Sequence, residues 1–169
     1  MSESEQRQIF DTWLRDHKGI FFKIVRAYAF TSHDQDDLFQ EITLQVWQSI
    51  PNFRGEAKPS TWIYRVALYA ATAWVRQEKR RPLLSSLTAV EHTLTMTDQP
   101  RDERRDWLYG QIAKFEPIDR SLCLLMLDGF SYKEIANMLG ISASNVGVKI
   151  HRIKKQLLQQ AKESPHHGV

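Results

Sequence analysis

Between Ser144 and Lys155 the chain carries side chains suited to reading a polar, anionic surface. Ser144, Asn145, His151, Arg152 and Lys155, with Val148 among them, fall on one helical arc at about 100° per residue. Val146, Ile150, Ile153 and Leu157 fall on the opposite arc, and no acidic residue occurs from Ile141 to Lys155. Amide and guanidinium groups can bond base edges in a DNA major groove, and lysines can neutralise phosphates. The bland alternative is an amphipathic helix with a solvated basic side.

A second cluster lies in the first half. The loop PNFRGEAKPST interleaves Phe53, Arg54 and Lys58 with small residues. Trp62, Arg65, Tyr69, Trp74, Arg76 and a basic end at Lys79, Arg80 and Arg81 follow at helical spacing. Aromatic rings beside cations are what single-stranded DNA needs, because bases stack and phosphates are neutralised. Core packing of Trp62 and Trp74, with a C-terminal charge cap, is the competing reading.

The elements that must position these residues can be read from local signals. Ser131 and Glu134 have the Ser-x-x-Glu spacing of a capping box, in which each side chain satisfies an otherwise orphan backbone N–H. Ile135, Ala136 and Leu139 then share a face, and Gly140 stands where a helix ends in the left-handed conformation. Ser142 can cap the next helix after one intervening residue, giving a helix-turn-helix.

Upstream, apolar residues from Ile9 to Tyr28 keep helical spacing, with Gly19 as the expected bend. His17 has no metal-type partner one turn away. Ser32 or Asp34 is the expected cap of a helix running to about Ile50, where Leu38, Ile42 and Val46 form one stripe. Asp37, Gln40, Glu41 and Gln45 form another face, either solvated or a dock for a basic protein surface. Ser60 or Thr61 is the expected cap of a helix from Trp62 to about Arg81, stopped by Pro82. Residues 83–105 lose the periodicity and read as a linker between residues 1–82 and 106–162. Helices are then expected over Asp106 to Phe115 and from Pro117 to Gly129, with residues 163–169 as a tail.

The fold class is therefore all-α: two small helical domains joined by a linker, the C-terminal one holding the helix-turn-helix. The 169 residues, with hydrophobics at 42%, charges at 25% and net charge +3, suit a soluble globular protein that can meet nucleic acid. One cysteine, Cys123, leaves no internal disulfide and no cysteine zinc site. The polar start MSESEQRQ and the lack of a long apolar run point to the cytoplasm, with no direct membrane insertion. No phosphate-binding glycine loop occurs, and no enzyme, cofactor or metal site is expected.

With these residues placed, the chain resembles bacterial RNA polymerase sigma factors of the extracytoplasmic-function (ECF) class, over nearly its whole length. HDQDDLFQEITLQVW looks like the helix of conserved region two. NFRGEAKPSTWIYRVA looks like the loop and helix that melt and read the minus-ten element. FEPIDRSLCLLMLDGFSYKEIANMLGISASNVGVKIHRIKKQL looks like region four, which reads the minus-thirty-five element.

The resemblance implies roles. Asp37, Leu38, Phe39, Gln40 and Glu41 fall on the segment that grips the clamp coiled coil of the largest core RNA polymerase subunit. Phe53, Arg54, Lys58, Ser60, Thr61 and Trp62 match the loop that holds a flipped base of promoter DNA, and Arg65, Tyr69, Arg76 and Arg80 continue the minus-ten surface. Ser144, Asn145, Val148, Lys149, His151 and Arg152, with Lys155 beyond them, match the minus-thirty-five recognition helix. Leu108 to Leu127 matches the part that docks on the flap of the other large subunit, and an anti-sigma factor is a further expected partner. Pro59, Tyr69, Ala73, Gly147 and Val148 depart from the usual pattern, which bears on promoter sequence. The alternative from the residues alone is a free-standing helix-turn-helix regulator that binds duplex DNA as a dimer.

Overall fold

The computed structural model describes residues 1–80 and 102–164. Within them the chain forms seven α-helices, one 3₁₀ turn and no strand. It divides into two compact units, Met1–Asp98 and Gln99–Val169.

The first unit packs α1 (Glu3–Tyr28), α2 (Ser32–Ser49) and α3 (Pro59–Arg80), with a 3₁₀ turn at Ile50–Asn52. Ser2 and Glu5 form a capping box that starts α1. Its bend lies at His17 (φ −123°, ψ 18°), not at the expected Gly19. The side chain that caps α2 is Thr31, whose Oγ1 accepts from the Asp34 N–H at 3.1 Å, rather than Ser32 or Asp34. The third helix begins at Pro59, ahead of the expected Ser60 or Thr61 cap. A proline there is preset for the first turn and lacks only an N–H that would be orphaned anyway. Phe21, Ile24, Tyr28, Leu38, Ile42, Ile63, Tyr64 and Leu68 make the core between the three helices.

In the second unit, α4 (Glu103–Ile112) and α5 (Pro117–Leu127) lead into α6 (Tyr132–Leu139) and α7 (Ala143–Glu163). The start of α4 precedes the expected Asp106, because Asp102 caps it by accepting from the Arg104 and Arg105 N–H groups. Thus the last residues assigned to the linker are helical, and Glu163, assigned to the tail, is the last residue of α7. Residues 81–101, which hold the rest of the linker before Asp102, and the tail histidines His166 and His167 lie outside the described residues. Gly129 (φ 82°) closes α5: its own N–H bonds the Met126 carbonyl and the Phe130 N–H bonds the Leu125 carbonyl. That pattern satisfies two of the helix's last free carbonyls.

Cys123 sits in the core of α5 beside Leu122, Leu124 and Leu125. Burial, and secondarily the Asp119 charge, pushes its thiol up from the ordinary 9.0 to about 12. The folded thiol therefore stays protonated where an unfolded one ionises, and the linked stability is present below 9.0 and lost as pH rises toward about 12. At about pH 8, iodoacetamide is expected to leave the native protein unlabelled and to label it once unfolded. Rapid labelling of the native form would contradict this burial.

Candidate nucleic-acid and polymerase interface

The helix-turn-helix forms as its local signals dictate. Ser131 Oγ accepts from the Glu134 N–H at 3.2 Å, and Glu134 Oε2 accepts from the Ser131 N–H at 2.7 Å. Gly140 takes the left-handed conformation (φ 69°), and Ser142 caps α7 through the Asn145 N–H. Val146, Ile150 and Ile153 are buried, which turns the opposite side outward. Ser144, Asn145, Val148, His151, Arg152 and Lys155 are all exposed there, Val148 to 66%. A methyl-bearing side chain this open suits a thymine methyl. The ring of Tyr132 lies beside Gly147, where an added Cβ would meet its Cε2 at 3.5 Å, an ordinary van der Waals contact.

Lys149 differs from the rest of this set. It is half-buried, and its Nζ donates to Asp119 Oδ1 of α5 at 3.3 Å. Arg152 Nη2 reaches the other carboxylate oxygen at 3.5 Å while remaining exposed. Lys149 therefore bonds toward α5 and, unlike its neighbours on the expected minus-thirty-five face, is not exposed. Arg152→Ala is expected to weaken duplex promoter binding by about 1–3 kcal/mol if the guanidinium bonds a base edge, and by less if it meets only phosphate. Filter binding across a salt series separates the two. Unchanged affinity at every salt concentration would remove Arg152 from the interface.

In the first unit α3 divides cleanly. Ile63, Tyr64, Ala67, Leu68, Ala70, Ala71 and Val75 are buried. Arg65, Tyr69 and Arg76 are exposed at the spacing of one face, Tyr69 to 73%, and Arg80 is the last residue of the helix. Ser60 and Thr61 are half-buried in the first turn.

The loop before α3 is pinned at both ends by aromatic rings. Phe53 meets Trp13 edge-on at 5.0 Å and Trp62 at 5.6 Å, and Trp62 Nε1 donates to Ser49 Oγ at 3.0 Å. Both Phe53 and Trp62 thus anchor the loop and are half-buried. Between them Gly55 turns the chain (φ 74°), and Arg54 and Lys58 stand exposed.

On α2 the five residues expected to meet the polymerase separate by burial. Leu38 is fully buried at 0%, so its role is to seat the helix, and a direct polymerase contact is corrected. Phe39 stacks on Phe22 at 5.7 Å and tilts against Phe21. Asp37 Oδ2 lies 3.4 Å from His33 Nε2, Glu41 accepts from Gln45, and Gln40 is exposed. Leu44, 48% exposed, continues that line and was not singled out from the sequence. Its signal was its spacing, one turn after Gln40 and out of phase with the Leu38–Ile42–Val46 stripe. No group of three or more potential metal ligands occurs among the described residues.

The chain thus joins a three-helix unit whose α3 exposes Arg65, Tyr69 and Arg76 to a helix-turn-helix unit whose α7 exposes a polar, basic face. Residues 13–81 match the family described as Sigma-70 region 2, and residues 105–157 match Sigma-70, region 4. The RNA polymerase sigma-H factor of Pseudomonas aeruginosa is 24% identical over 164 residues, covering 89% of this chain and 85% of that protein. The ECF RNA polymerase sigma-E factor of Escherichia coli is 27% identical over 139 residues, covering 75% of this chain and 73% of that protein. The fold is also that of the sigma factor RpoE from Bartonella quintana, solved with the anti-sigma factor NepR (TM-score 0.70, 15% identity, 92% of this chain and 96% of that one). CnrH, solved with the cytosolic domain of CnrY, matches at a TM-score of 0.63 and 18% identity over 94% of this chain and 90% of that one. The two regional matches together span well over half of the chain, which belongs to the sigma-70 family of RNA polymerase sigma factors, in its extracytoplasmic-function class. It is a transcription initiation factor that binds core RNA polymerase and promoter DNA, and a free-standing dimeric regulator is not favoured.

Proposed function

We propose that the chain divides promoter recognition between its two units. Residues 1–82 dock on the clamp coiled coil of the largest polymerase subunit and open the minus-ten element. Residues 106–162 read the minus-thirty-five duplex and dock on the flap of the other large subunit, with residues 83–105 linking the two. Asp37, Gln40, Glu41 and Leu44 form the clamp-facing line. Arg54 and Lys58, with Arg65, Tyr69, Arg76 and Arg80 on α3, hold the separated strand, and α7 enters the major groove through Asn145, Val148 and Arg152. Ser144, His151 and Lys155 serve the flanking backbone.

The observation that carries this reading is the exposure of two unlike DNA-facing helices on one chain. The aromatic and basic face of α3 suits unpaired bases, and the polar, acid-free face of α7 suits duplex. The polymerase core performs the chemistry, and this chain is not an enzyme. It works where the polymerase is, in the cytoplasm; no described helix is long and apolar enough to cross a membrane. An anti-sigma factor is its proposed inhibitor, since both solved relatives were captured with a bound partner, one of them an anti-sigma factor.

Run-off transcription with purified core polymerase on genomic promoter fragments tests the assignment. Defined transcripts that require both core and this chain are expected, and a chain that binds duplex DNA equally well without core and yields no transcript would contradict it.

A further inference from the structure

The region-four unit holds a buried carboxylate that neither DNA contact nor polymerase docking accounts for. Asp119, in the first turn of α5, is only 9% exposed, and both of its oxygens are turned to α7. A buried carboxylate is tolerated only where cations or hydrogen bonds compensate its lost hydration. Here the compensation comes from two residues in the helix that reads DNA. Lys149 Nζ lies 3.3 Å away with its side chain 23% exposed, and Arg152 Nη2 lies 3.5 Å away with its side chain 62% exposed. The two cations are thus held unequally: Lys149 is drawn down to α5, whereas Arg152 is held at one end and open to solvent.

We propose that Asp119 is a positioning residue for promoter discrimination: it withholds Lys149 from the DNA backbone and orients the Arg152 guanidinium beside Asn145 and Val148. This rests on the reading of α7 as a duplex-reading helix. The physical logic is a trade between two kinds of contact. Every lysine or arginine that reaches phosphate adds affinity for any sequence, whereas a guanidinium fixed toward a base edge adds affinity for one. A carboxylate behind the helix lowers the first and supports the second. A carboxylate that merely stabilised the unit would affect all duplexes alike.

The test uses holoenzyme reconstituted from core polymerase and the full chain. One duplex carries the upstream element that wild-type holoenzyme selects from a randomised pool, and the other carries that element scrambled. Asp119→Asn keeps the shape of the side chain and removes its charge. Discrimination between the duplexes is expected to fall by roughly five- to a hundredfold, the value of one fixed base contact. Affinity for the scrambled duplex is expected to rise, and the slope of log affinity against log salt to steepen by about one to two, as one or two freed cations reach phosphate.

A wild-type holoenzyme that treats the two duplexes alike overturns the duplex reading and this inference with it. If the wild type discriminates and the folded Asp119→Asn form does so equally well with the same slope, the inference alone is overturned. Loss of affinity for both duplexes at an unchanged slope also overturns it, because that is the signature of a purely structural role. Should Asp119→Asn fail to fold, Lys149→Gln supplies the readout: a lysine withheld from phosphate adds nothing to the salt slope, so a slope equal to wild type is expected, and a slope shallower by about one overturns the proposal.

Discussion

Replacing Arg54 and Lys58 together with alanine is expected to abolish permanganate-reactive thymines near the start site, while binding to core polymerase and to upstream duplex persists. Opening a promoter takes bases out of their stack, at a cost of a few kcal/mol each. A strand-separating surface must return that cost through stacking and phosphate neutralisation, at roughly 1–3 kcal/mol per captured base. The described structure offers the cations in an exposed loop and the most open aromatic ring, Tyr69, on the adjoining helix.

Phe53 is unsuited to the same probe. Its ring is lodged against Trp13 and Trp62, so Phe53→Ala removes an anchor of the loop and is expected to lower thermal stability as well as melting activity. Neither Arg54 nor Lys58 is buried, so their removal isolates the electrostatic part. Tyr69→Ala, which leaves the core intact, should reduce thymine reactivity without removing the salt dependence of binding. Wild-type permanganate reactivity in the Arg54→Ala/Lys58→Ala form would sink the assignment of this loop to strand opening.

Which parts of this surface could be read in advance follows from how local each signal is. The capping box at Ser131 and Glu134 and the left-handed Gly140 act within a few residues, and both stand in the structure as their spacing dictates. The burial of Val146, Ile150 and Ile153 follows from helical period alone. Where several residues could serve the same local purpose, spacing did not choose among them. Thr31, Ser32 and Asp34 can all cap a helix, and it is Thr31 whose side chain accepts the Asp34 N–H.

Long-range contacts had no signal of this kind. Phe53 looks like an exposed loop aromatic until Trp13, from another helix, is brought against it. Lys149 looks like one more cation of a basic helix until Asp119, 30 residues earlier, claims it. The burial of Leu38 was legible from the Leu38–Ile42–Val46 stripe, yet the family resemblance grouped it with its polar neighbours by sequence segment rather than by face. Resemblance transfers a segment, and only geometry divides the segment into residues that touch a partner and residues that hold the helix.

That division sets the second large effect. Asp37→Lys combined with Gln40→Ala is expected to weaken core polymerase binding by about 2–5 kcal/mol, the range found when a charge pair at a protein interface is broken. The carboxylate of Asp37 is about two-fifths exposed and meets only the still more exposed His33 across one helical turn, so the fold loses little by its reversal. Gln40 is exposed and contributes its amide to the same line. Far-UV circular dichroism and thermal unfolding are accordingly expected to stay near wild type while core binding falls. Leu44→Glu should act in the same direction, because an open leucine on that line has its value in being covered by a partner. Leu38→Ala, by contrast, should lower thermal stability first, since it empties a fully buried position among the three helices. Competition for core polymerase against a labelled reference sigma factor measures these three variants and the wild type on one scale. If the folded Asp37→Lys/Gln40→Ala and Leu44→Glu forms compete as well as wild type, the clamp-facing line does not lie on this helix.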